Sequence, residues 1–224
     1  MTTPEFDRHA QQYDRLLADA MPPGMQENAY FAEYKVALMA QRLRGQAVQR
    51  ILDFGCGAGR SLTYIERYFP DAQVWGYDVS GESLEMARAR VGRSTLFSDW
   101  DELQSLEFDA IFAANVFHHI PLDERARELT RCRDHLAANG SMFLFEHNPY
   151  NPLTRWVFER CPFDQDAEML TLRAALQLAN EARFTSWEHG YTLFFPRPLA
   201  ALRGMEPFLR RVPLGAQYFV HMVR

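Results

Sequence analysis

Three histidines sit beside strand-like stretches where they could handle protons: His118 and His119 in FHHIP, and His147 in EHNP. An imidazole with a pKa of about 6.5 is a competent base at neutral pH. Neighbours such as His118 and His119 cannot point the same way in a helix or an extended chain. One of them, with His119 favoured, is therefore expected to face a substrate. Glu146, beside His147, could orient that ring. Glycine supplies the second set. ILDFGCGAGR, residues 51–60, follows an apolar run with Asp53 and then places Gly55, Gly57 and Gly59 at alternate positions. Three glycines there predict a tight turn with room for a ligand against the backbone. The spacing is not GxGxxG, because Arg60 stands where the third glycine would fall.

The elements that must position these residues follow from hydropathy pattern. Strand-like QRILDF, QVWGYD, STLFS, FDAIFAAN and SMFLFEH alternate with helical SLTYIERYF, SGESLEMARARV and LDERARELTRCRDHLAANG. Ser80 reads as an N-cap and Gly140 as the glycine after a helix end. Such alternation predicts an α/β fold with a Rossmann-like, mostly parallel seven-stranded sheet and helices on both faces. Ahead of it, residues 1–45 read as a helical cap, with Tyr30, Phe31, Tyr34, Leu38 and Leu43 on one side of the second helix. Residues 46–147 form the core. Residues 148–183 read as a proline-broken lid and the long helix AEMLTLRAALQLANEAR. Residues 184–224 supply two late strands, the last one antiparallel. All of this is expected to be one domain. Right-handed crossovers then gather Asp53 to Gly59, Asp78, Asp99, Asn115 and Glu146 to Asn148 on the carboxyl edge of the sheet.

At that edge, a carboxylate such as Asp78 ending the second strand can accept hydrogen bonds from both hydroxyls of a ribose. Asp99, beside Trp100 after the third strand, can take an adenine amine. Glycine turn, ribose acid and adenine acid in this order point to an adenosine ligand. With them, the chain resembles the small-molecule branch of the class I S-adenosylmethionine-dependent methyltransferases. ILDFGCGAG matches their first motif, GYDVS the ribose acid, FSDWDEL the adenine-side acid, and FDAIFAANVFHHI the strand closing the pocket. FDRHAQQYD and PLGAQYFVHMVR are similar to the two ends of that branch. The resemblance implies S-adenosyl-L-methionine as cofactor. It places Asp53, Gly55, Gly57 and Gly59 around the amino-acid end, Asp78 on the ribose, and Val79 flanking the adenine. Asp99 and Trp100 would meet the adenine edge, Asn115 and Val116 the sulfonium region, and Tyr13 the methionine part.

The implied reaction is methyl transfer to a small molecule, favouring oxygen, with nitrogen and carbon acceptors open and with one of His118, His119 or His147 as base. A nicotinamide oxidoreductase and a non-catalytic binding protein of the same fold are the rivals. Phe6, Met21, Met25, Trp156, Phe158, Phe163, Tyr191, Phe194 and Phe195 could line an apolar acceptor cavity. Arg155 or Arg160 could pair with an acceptor anion, while Lys35 could reach the cofactor carboxylate but reads rather as a surface helix lysine. No resident metal is expected, since Asn115 stands where an acidic ligand would. A net charge of −5 argues against a nucleic-acid grip. The polar N-terminus, the lack of a spanning apolar run, and the three cysteines without CxxC spacing suggest a cytoplasmic protein free of membrane.

Overall fold

The computed structural model describes residues 27–161 and 164–224. Tyr13, Phe6, Met21, Met25, Phe163 and the first N-terminal helix expected from sequence lie outside the described residues. A helix, α1 (Asn28–Arg42), precedes β1 (Arg50–Phe54) and α2 (Arg60–Tyr68). Then come β2 (Gln73–Tyr77), α3 (Gly81–Arg90), β3 (Thr95–Phe97), β4 (Phe108–Ala114), α4 (Leu122–Asp134) and β5 (Leu136–His147). The lid carries α5 (Pro152–Phe158). After it follow α6 (Leu172–Glu181), β6 (Ser186–Thr192), α7 (Glu206–Leu209) and β7 (Gln217–Val223).

The seven strands form one sheet in the order β3-β2-β1-β4-β5-β7-β6. The first five pair in parallel, and β7 runs antiparallel between β5 and β6. This is the sheet the hydropathy pattern predicts. Side chains alternate across it into two cores. Leu52, Ile111, Leu144 and Val220 pack with Leu129 of α4 and Ala175 of α6. Ile51, Phe112, Phe143 and Phe219 pack on the other face with Met39 of α1, Leu62 of α2 and Leu84 of α3. A sheet covered on both faces needs apolar residues at successive positions, which is why β4 and β5 read as continuous runs.

Local chemistry sets the element ends. The Ser80 hydroxyl accepts from the Ser83 N–H at 3.1 Å, capping α3 as expected. Gly140 does not end α4. That helix stops at Asp134, and Leu136–His147 is one long strand whose pairing with β4 shifts between Phe108 and Ala110. A Cβ at Gly140 would lie 2.9 Å from the Ala137 carbonyl and 3.0 Å from that of Phe108, so the glycine serves this irregular pairing. α6 is shorter than its amphipathic pattern, because Thr171 caps it by accepting from the Ala174 N–H. The buried stripe of α1 is Ala32, Lys35, Val36, Leu38 and Met39, while Tyr30, Phe31 and Tyr34 are only half-buried. No helix among the described residues is long and apolar enough to cross a membrane.

Candidate active site

A cavity of about 360 Å³ opens at the carboxyl edge of β1, β2, β4 and β5, under α1 and the lid. The glycine turn forms its floor. Gly55, Gly57 and Gly59 all adopt left-handed backbone, with φ of +73°, +50° and +76°. The N–H groups of Gly55 and Cys56 both donate to the Tyr77 carbonyl, folding the turn back onto the end of β2. A Cβ at Gly55 would stand 2.4 Å from a Val116 methyl, and one at Gly59 3.0 Å from the Ala87 Cβ. Those two glycines permit close packing. A Cβ at Gly57 would meet nothing, and Gly57 borders the cavity, so its missing side chain leaves room there.

Asp78 closes the turn from the next strand. One carboxylate oxygen accepts from the Gly57 N–H at 2.7 Å and the other from the Ser80 N–H at 2.9 Å. The side chain is thereby fixed at the rim with lone pairs to spare. Asp53 lies behind the turn, 2% exposed, and its Oδ2 has no hydrogen-bond partner among the described residues. Burial, reinforced by the Asp78 charge and opposed by Lys35, raises its pKa well above the usual carboxylate value. Lys35 is not a surface lysine. Its backbone sits in the buried stripe of α1, and its side chain borders the cavity. Burial pulls its pKa down to about 8 against the pull of Glu146 and Asp53.

Side chains from distant segments build the opposite wall. Glu146 is fully buried at the end of β5. Its Oε1 accepts from the Val116 and Phe117 N–H groups, and its Oε2 lies 2.6 Å from His118 Nδ1. Glu146 thus orients His118 and not His147, because successive residues of a strand face opposite sides. The FHHIP segment is a tight 3-10 turn, Phe117–His119, which defeats the expectation that the two histidines diverge. Their ring centroids are 4.1 Å apart, and Nε2 of each lies 3.4 Å from Asp164 Oδ1. Burial alone would lower the His118 pKa, but the Glu146 and Asp164 carboxylates hold it up to about 9. Burial, with His118 beside them, pushes His119 down to about 3 and His147 down to about 4. Glu146 and Asp164 stay below the usual carboxylate range despite their burial, chiefly because of His118.

Of the residues singled out by sequence, Gly55, Gly57, Asp78, Val79, Asn115, Val116, His118, His119 and His147 border the cavity. Asp53, Gly59, Asp99 and Trp100 do not. Asp99 accepts from the Asp101 N–H to cap a short 3-10 turn. Trp100 is a core residue, edge-on to Phe54 and Tyr77 and covered by the Arg131 guanidinium. Phe158, Phe194 and Phe195 line the lid side, whereas Trp156 and Tyr191 lie outside. Arg155 pairs with Glu159, and Arg160 lies over Trp156; neither reaches the cavity. Sequence reasoning missed Asp164 and Gln217 and favoured a surface position for Lys35. The α1 burial stripe could have revealed Lys35; nothing in CPFDQD distinguishes Asp164. Gln217, first residue of β7, donates from Nε2 to Asn115 Oδ1 at 3.2 Å.

The donor set suits an adenosine-bearing amino acid. The space above Gly57 admits a ligand against backbone, and Asp78 is fixed at the rim to receive two hydroxyls. Comparison with known proteins agrees on the domain. A family model described as a methyltransferase domain matches residues 52–142. Residues 52–142 are therefore similar to a methyltransferase domain. The chain is 34% identical over 142 residues to a malonyl-[acyl-carrier protein] O-methyltransferase of Herminiimonas arsenicoxydans, covering 62% of this chain and 48% of that one. It is 26% identical over 189 residues to a ribosomal RNA small subunit methyltransferase C of Ectopseudomonas mendocina, covering 77% and 56%. The chain thus spans about half the length of these curated relatives. The solved structure of an S-adenosylmethionine-dependent methyltransferase of Thermotoga maritima shares the fold, with a TM-score of 0.68 and 17% identity over 99% of this chain and 98% of that one.

Proposed function

We propose that the protein transfers the methyl group of S-adenosylmethionine to an oxygen atom of a small-molecule acceptor in the cytoplasm. One observation carries this reading: Asp78 is pinned by the Gly57 and Ser80 N–H groups at the rim of a cavity whose floor is an open glycine turn. When bound, the cofactor supplies a methyl carbon made electrophilic by its sulfonium. The chain's part is alignment and proton handling, and alignment of this kind accounts for much of the acceleration. Asp78 accepts from the ribose hydroxyls, and Lys35 pairs with the carboxylate of the amino-acid end. Phe158, Phe194 and Phe195 make the acceptor side apolar and exclude water.

A hydroxyl acceptor must also lose its proton. His118 is engaged between Glu146 and Asp164, and His119 shares Asp164. His147 borders the same cavity, with its Nδ1 3.5 Å from Gln217 Nε2, and is assigned here as the base. A small, partly apolar acceptor fits both the cavity volume and the net negative charge of the chain. Calorimetric titration with S-adenosylmethionine and its demethylated product tests the cofactor assignment. One site of micromolar affinity is expected, weakened about 100-fold by Asp78→Ala through loss of charge-assisted hydrogen bonds. No heat and no competition by either ligand would defeat it. Transfer of a labelled methyl group into a metabolite pool tests the rest.

A further inference from the structure

The His118, His119 and Asp164 side chains do more than line the acceptor wall: the geometry points to a site for one divalent transition-metal ion of the zinc type, held by His118 Nε2, His119 Nε2 and Asp164 Oδ1. These three donor atoms lie within 4.8 Å of one another. Each histidine nitrogen stands 3.4 Å from the shared Asp164 oxygen. That is longer than the roughly 2.7–3.2 Å of a good N–H···O bond. It equals the edge of a tetrahedron with arms of about 2.1 Å, the usual zinc–nitrogen and zinc–oxygen distance. The third edge, between the two histidine donors, also lies within 4.8 Å, the ring centroids being 4.1 Å apart.

The surroundings have the form of a metal site as well. His118 gives its other nitrogen, Nδ1, to Glu146 at 2.6 Å, and Glu146 is itself held by two backbone N–H groups. A carboxylate behind the far nitrogen of a histidine fixes both the ring and the nitrogen available to a metal. Two imidazoles and one carboxylate favour zinc-type ions over magnesium or calcium, which take oxygen ligands. All three donors border the acceptor side of the cavity. The fourth position therefore opens where an oxygen donor, water or an acceptor hydroxyl, would bind. This inference does not depend on the methyl-transfer reading, since metal uptake is measured without cofactor.

The full-length chain, stripped of metal by chelator, is titrated with zinc chloride in a calorimeter, and with cobalt(II) chloride while its visible absorption is followed. One ion per chain with micromolar or tighter affinity and a tetrahedral cobalt spectrum are expected. Asp164→Asn and His119→Ala should each weaken zinc binding more than about 100-fold and abolish the cobalt spectrum. Unchanged circular dichroism and cooperative thermal unfolding of these variants would confirm that they fold; if either loses them, Asp164→Glu, which keeps the carboxylate, should retain zinc. Absence of stoichiometric uptake, or wild-type affinity in both Asp164→Asn and His119→Ala, overturns the site. Magnesium binding in place of zinc would overturn it too.

Discussion

At the β1–β2 edge the cavity wall is backbone, folded by residues close in sequence: Gly55 to Gly59 lie against Tyr77 and Asp78, some twenty positions on. At the β4–β5 edge the wall is side chains, and they come from three separated segments: His118 and His119, Glu146 and His147, and Asp164 of the lid. The first half is held by left-handed glycines and paired N–H groups, the second by buried charge. The contrast teaches how such a protein can keep one ligand and change another. A backbone cradle offers few positions where a substitution alters specificity, while a wall of side chains on a lid and two loops can be remade residue by residue.

Glu146→Gln should do the greatest harm, because it breaks a buried pair and leaves His118 without its main partner. A loss of about 3–5 kcal/mol in denaturant unfolding is expected. A loss below 1 kcal/mol would show that buried charge does not hold the acceptor wall. Gly55→Ala attacks the other half. It imposes left-handed backbone on alanine and drives a methyl into Val116. About 3 kcal/mol of destabilisation is expected. Gly57→Ala, whose Cβ meets nothing, should cost only about 1 kcal/mol while still weakening the demethylated cofactor. Equal stability losses at the two glycines would break the distinction between packing and cradle.

His147→Gln should lower kcat about 100-fold with cofactor affinity unchanged, read by single-turnover methyl transfer. Full activity would leave alignment as the sole device of the acceptor half. The smallest effect concerns Lys35, which stands between the halves. Its ammonium is present below a pH of about 8 and lost above it, so affinity for the demethylated cofactor should fall about tenfold as pH rises through that value. Stability should move the opposite way. The folded pKa of Lys35 is depressed from 10.5, so its contribution is complete above 10.5 and is lost as pH falls through about 8. Lys35→Met should flatten both trends between pH 8 and 10.5.

The strands and the glycine turn could be read in advance because they rest on local pattern. Period and apolar runs identify strands, and right-handed crossovers leave few topologies. Even so, Asp99 and Trp100 were placed by order alone, and the fold turned one into a cap and the other into core. Gly140 was read as a helix end because a glycine after an amphipathic run is locally indistinguishable from one in a strand irregularity. Lys35 was misjudged by residue type, although Val36 and Met39 beside it already marked the buried face.

The amino-acid sequence alone determined the α/β class, the left-handed turn after β1 and the acid that answers it, because each depends on neighbours within a few tens of residues. The tertiary structure alone decided that Glu146 serves His118, that two adjacent histidines converge, and that Asp164 meets both. Those contacts depend on a 3-10 turn, on the alternation of β5 and on where the lid comes to rest, and no local spacing encodes the distance between them.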